Sequence, residues 1–202
     1  MKAVFLSGSR AISRLNQEVR ERLSGITSQS FDILVGDANG ADKALQNFLK
    51  ENKYENVTVY CSGGHCRNNI GHWKTYNVEV PTGSKGRDFY TQKDRLMAQI
   101  ADYGFVLWDG KSPGSIENVI NLLKGSKSAL VYFSPDKEFV SVGSLPKLKG
   151  LLARSSFEDL ETIEKKIKLK RLLSELEGNP QEQMAFDLAQ SRNEENRTRR
   201  RS

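Results

Sequence analysis

A chain of 202 residues, 37% hydrophobic and 28% charged, has room for one medium core and not for two complete domains. Two cysteines are too few for a disulfide framework, no run approaches the ~20 apolar residues of a membrane helix, and no signal-peptide layout precedes the first strand-like segment. A cytoplasmic protein with free or ligand-bound thiols is therefore expected. Lys and Arg number 31 against 25 Asp and Glu, a net charge of +6, yet much of the excess lies in Arg197 to Arg201, as in a solvated tail.

In chain order, apolar and β-branched runs alternate with segments of helical period. Strands are expected at Ala3 to Ser7, Asp32 to Val35, Val57 to Cys61, Phe105 to Trp108 and Ala129 to Phe133. Helices are expected at Arg14 to Leu23, Asp42 to Glu51, Asp88 to Asp102 and Ser115 to Lys124. Runs that are apolar throughout predict strands covered on both faces, hence an α/β, Rossmann-like three-layer fold around a parallel sheet. Ser62 to Arg87 breaks the rhythm with a long segment rich in Gly, Asn and His, the length of a binding loop. Phe139 to Val142 adds an edge strand. Ser156 to Asp159 then reads as a capping box opening one helix, with Leu160, Ile163, Ile167, Leu172, Leu173 and Leu176 on one face, stopped by Gly178-Asn179-Pro180. A short helix near Gln181 to Gln190 follows. The expected division is an α/β domain over 1–145, a helical extension over 146–190 and a disordered basic tail over 191–202.

Ligands of open parallel sheets bind beyond the carboxyl ends of the strands, and the unusual residues of this chain fall there. After the first strand, Gly8 permits a sharp turn and close approach, while Ser9 and Arg10 offer a hydroxyl and a bidentate cation to an anion. After the second come Gly36, Asp37, Ala38, Asn39, Gly40 and Asp42. After the fourth, Gly110, Gly114 and Ser115 lead into a helix whose free N–H groups form an anion site. Each loop alone is also ordinary turn chemistry, with Ser115 an N-cap. Asp94, Asp109 and Glu117 surround the same cleft, a set suited to acid–base or nucleophilic work at a sugar carbon. The competing reading has Asp94 and Glu117 capping or salt-bridging their helices. In the long loop, Arg67 and Asn68 are candidate donors of a closing lid and Trp73 a stacking surface for a base; Cys61, His65, Cys66 and His72 match no familiar zinc spacing, and no metal centre is expected.

Leu6-Ser7-Gly8-Ser9-Arg10 with Gly36 to Asp42 resembles the paired motifs of the SLOG superfamily, especially its YspA-like branch. The segment from Lys93 to Asp102, continuing through Trp108 to Glu117, is similar to the Lonely guy phosphoribohydrolases and the nucleoside 2-deoxyribosyltransferases, with Lys93 where the phosphoribohydrolases carry Arg. The resemblance implies a nucleotide- or nucleoside-binding domain that, as in some relatives, cleaves an N-glycosidic bond with Glu117, Asp94 and Asp109. The alternative is a non-catalytic nucleotide sensor or nucleic-acid-associated module. No cofactor and no membrane partner are expected, a nucleotide or nucleoside rather than nucleic acid is the expected ligand, and the chain is expected to form a homo-oligomer.

Overall fold

A computed structural model describes residues 1–83 and 86–178. Seven strands form one sheet: β1 (Ala3–Gly8), β2 (Asp32–Gly36), β3 (Val57–Ser62), β4 (Lys74–Val78), β5 (Tyr103–Trp108), β6 (Ser128–Phe133) and β7 (Glu138–Val142). Their spatial order is β4-β3-β2-β1-β5-β6-β7, parallel throughout except for the antiparallel hairpin of β6 and β7. The helices are α1 (Gln17–Thr27), α2 (Ala41–Glu51), α3 (Gly86–Ile100), α4 (Pro113–Lys124), α5 (Leu145–Leu152), α6 (Phe157–Ile167) and α7 (Leu169–Glu177).

The period-2 alternation of each strand divides the core in two. Val4, Leu6, Ile33, Val35, Val57 and Val59 pack with α1 and α2, whereas Phe5, Leu34, Val106 and Trp108 pack with α3 and α4. The second cluster continues without a break through Leu148, Leu151, Ile163, Ile167, Leu169 and Leu176, so α5, α6 and α7 share the core of the α/β layers. The Rossmann-like three-layer architecture read from the sequence is the one observed.

Several expectations need correction. The long connection contains β4, an exposed edge strand whose Lys-Thr-Tyr-Asn-Val sequence carries no apolar signal. The helix read from Ser156 to Glu177 is two helices, because Lys168 adopts a left-handed backbone, φ 56° and ψ 51°. The short helix α5 falls at the start of the expected helical extension but is not among the elements read from the sequence. Cys61 and Cys66 are neither free thiols nor ligands: Gly63 and Gly64, both at positive φ, fold the chain back, and the two cysteines form a disulfide with Cα atoms 5.1 Å apart. The expected helix near Gln181 to Gln190 and the basic tail lie outside the described residues.

Candidate functional site

The strand order reverses between β1 and β5, which pair directly, with Gly8 opposite Leu107. Such a switch point opens a crevice at the strands' carboxyl ends. Here it is a cleft of about 730 Å³ lined by the loops after β1, β2 and β5 and by α3.

Loop geometry follows from short-range chemistry. Ser9 Oγ donates to Asp109 Oδ2 at 2.6 Å, joining the loops after β1 and β5 across the switch point. Asp109 Oδ1 accepts from the Lys111 and Ser112 backbone N–H groups, closing an Asx turn that aims the chain into α4. Pro113 stands at the first helical position and Ser112 forms no side-chain cap, leaving the α4 N-terminal donors facing the cleft. Two hydroxyls belong to the same cleft wall. Ser115, 2% exposed, rides on the first turn of α4, and Ser7, 4% exposed, shares the face of β1 that carries Phe5; neither Oγ has a hydrogen-bond partner among the described residues. Buried hydroxyls are ordinarily paired, so two orphans beside an uncapped helix N-terminus leave this wall of the cleft rich in unmet donors, the chemistry that suits an anion.

Beneath the cleft lies an ionic network. Lys93, 3% exposed, donates to Asp94 Oδ1 at 2.6 Å and lies 3.9 Å from Asp37 Oδ1. Asp37 in turn accepts from Arg67 through Nε, Nη2 and the backbone N–H, at 3.0, 2.6 and 3.1 Å. Burial alone would raise the Asp37 carboxyl, but these bonds and the Lys93 charge outweigh it and hold the group below its ordinary range. Burial would likewise lower Lys93, and the surrounding carboxylates Asp94, Asp42 and Asp37 keep it above its ordinary value instead. Asp42, buried and accepting from the Ala38 N–H at 3.1 Å, is pushed up to about 6 by that burial. Gly36 makes this packing possible: a Cβ there would lie 2.6 Å from Lys93 Nζ and against the Asp42 carboxylate. Gly40, at φ 83°, passes against the Arg10 backbone and starts α2.

The expected binding residues Gly8, Ser9, Arg10, Gly36, Ala38, Asp42, Arg67, Lys93, Gly114 and Ser115 all line the cleft, as do Asp94 and Asp109. Asp37 and Asn39 hold the long loop instead, with Asn68 Nδ2 donating to the Asp37 carbonyl and Asn39 Oδ1. Gly110, at φ 78°, shapes the turn against Phe133. Two assignments do not survive. Trp73 is buried with its Nε1 donating to the Tyr54 carbonyl, so its ring is unavailable for stacking on a base. Glu117 lies in the second turn of α4, is not part of the cleft lining, and is held by Arg87 and, at 3.7 Å, by Arg95. On that helix Asn118, one residue on, lines the cleft. Also missed were Arg87, Lys111, Lys166 and Tyr90, whose partly exposed ring lies under Arg67, 4.4 Å from the guanidinium carbon, with Arg10 at 5.8 Å. For Ser7 the available signal is the alternation Phe5-Leu6-Ser7, which puts it on the Phe5 face; only tertiary structure brings Lys166 in.

Neither a family model nor a curated protein matches the chain. Among solved structures it is similar to DNA processing protein A from Helicobacter pylori, in a structure describing that protein's single-stranded DNA binding mode. The two are 19% identical, the match covers 83% of this chain and 80% of that one, and the TM-score is 0.52. The likeness is one of fold. No helix among the described residues is long and apolar enough to cross a membrane.

Proposed function

We propose that the chain is a non-catalytic, SLOG-type binding domain whose cleft takes the phosphate of a nucleotide unit within single-stranded nucleic acid. The observation that carries this reading is the pair of unpartnered hydroxyls, Ser7 and Ser115, in the wall of the cleft that also holds the uncapped N-terminus of α4. Arg10 and Lys111, which make no ion pair among the described residues, supply the charge that a phosphodiester needs, whereas Arg67, Arg87 and Lys93 are paired with Asp37, Glu117 and Asp94. Tyr90 adds an aromatic surface beside the phosphate site, the usual companion of a backbone groove in single-strand binding. DNA processing protein A, which shares the fold, binds single-stranded DNA, and this favours nucleic acid over a free nucleoside as the ligand class.

The carboxylates argue for binding over glycosidic cleavage. Asp94 is paired with Lys93, Asp109 is occupied by Ser9 and two backbone donors, and Glu117 belongs to another face. A cleaving pair would need both carboxyl groups free beside one sugar carbon. Fluorescence polarisation with a labelled deoxythymidine oligonucleotide, and calorimetry with deoxythymidine monophosphate, test the reading. Both ligands should bind, and Arg10→Ala should weaken each by about 1.5–3 kcal/mol, the range for a hydrogen bond to a charged group. Unchanged affinity in that variant removes the phosphate assignment, and base released from nucleoside monophosphates, followed by chromatography, restores the glycosidase reading.

A further inference from the structure

We infer that the α6–α7 junction is a second contact surface, a cationic ridge that carries the phosphodiester backbone of a single strand onward from the cleft. The inference rests on the reading above and extends it to the length of the ligand.

The segment Lys165-Lys166-Ile167-Lys168-Leu169-Lys170-Arg171 puts five cations among seven residues, with Ile167 and Leu169 buried as anchors and every cation exposed. The left-handed Lys168 bends the chain at its centre, and cations on either side of Ile167 reach two neighbouring depressions. Lys166 lines the phosphate cleft itself. Lys168 and Arg171 line an adjoining groove of about 740 Å³ together with Arg95 and Lys124. The depressions share a wall: Arg87 lines the cleft and holds Glu117, and Glu117 lines the groove.

Charge in the groove is unbalanced, with Arg95, Lys124, Lys127, Lys168 and Arg171 facing Glu117 and Glu175. On the ridge Lys165 reaches Glu161 at 4.0 Å and Arg171 bonds Glu175, whereas the ammonium groups of Lys166, Lys168 and Lys170 make no ion pair among the described residues, Glu164 Oε2 accepting only from the Lys170 backbone N–H at 2.7 Å. Clustered cations repel one another until a polyanion neutralises them. An acidic protein partner fits less well, because protein interfaces centre on an apolar core and the groove offers only Ile167 and the half-buried Leu172. Continuity with the cleft through Lys166 is what selects a strand of phosphodiesters.

The test uses the full chain, a labelled oligonucleotide of about 20 deoxythymidines, sized to span both depressions, and deoxythymidine monophosphate. The variant Lys168→Gln/Lys170→Gln/Arg171→Gln removes three exposed charges outside the cleft. Its oligonucleotide affinity should fall roughly 50-fold at about 0.15 M salt, and its salt slope should shrink by about 2, as expected for three lost phosphate contacts. Affinity for the monophosphate should be unchanged, and Lys168→Arg/Lys170→Arg/Arg171→Lys should retain oligonucleotide binding. Parental oligonucleotide affinity and slope in the glutamine variant overturn the ridge and leave the cleft standing, as does an unaltered chain that holds the oligonucleotide no tighter than the monophosphate. Polyglutamate that competes as well as unlabelled oligonucleotide also overturns it, in favour of an acidic protein. Failure of the unaltered chain to bind either nucleotide ligand overturns both readings.

Discussion

Asp42 gives the cleft a pH dependence that follows from its burial. With its carboxyl pushed up to about 6, it is ionised at neutral pH and protonated near pH 5, which removes one negative charge beside Lys93. Phosphodiesters do not titrate in this range, so oligonucleotide affinity should rise as pH falls from about 7 to 5, and Asp42→Asn should flatten the profile measured by polarisation. The stability linkage has the same origin: the folded carboxyl keeps its proton to higher pH than the unfolded one. Asp42 therefore stabilises the fold most below the ordinary carboxylate range, and that contribution is lost as pH rises through about 6. Ser115 offers a complementary test. Removing an orphan buried hydroxyl should leave the melting temperature equal or higher, while Ser115→Ala weakens phosphate binding by about 1.5–3 kcal/mol in calorimetry. At this scale the loops were legible in the sequence, since Gly, Ser and Asp after a strand have few uses. The direction of Glu117 and Trp73 was not, because one helical position turns a side chain by about 100° and a buried indole looks like an exposed one in a sequence.

Among the elements, β1, β2, β3, β5 and β6 announced themselves through runs apolar on both faces, and β4 escaped because an exposed edge strand has no core face to encode. The Lys168 break left one trace, a step of two between Ile167 and Leu169 where a continuous stripe advances by three or four. The helix α5, only eight residues with Pro146 and Gly150 inside it, lacked the length that makes a period visible. The disulfide acts on the segment that presents Arg67, because Cys66 precedes it and Cys61 is fixed in β3. Cys66→Ser should cost about 2 kcal/mol, the entropy of closing so short a loop, seen as a lower urea midpoint. A reducing agent should reproduce that shift in the parent chain and leave the variant unmoved.

For the whole molecule, the helical extension is continuous with the main core. Leu176 is completely buried in the cluster formed by α4 and β5, so Leu176→Ala should cost about 2–5 kcal/mol and lower the midpoint of one cooperative transition. A chain ending at Gly143 uncovers α4 and should bind a hydrophobic dye without a sharp thermal transition. The sheet order carries a consequence for synthesis. β1 is made first yet sits in the middle, with Val4 beside Tyr103. At ~5–20 residues per second, about 5–20 s pass before β5 leaves the ribosome. For that interval one flank of Val4-Phe5-Leu6 has no strand to pair with, an apolar edge open to neighbouring nascent chains. The first hundred residues expressed alone should therefore aggregate, and a circular permutant that delivers β5 before β1 should fold on the ribosome with less help from chaperones.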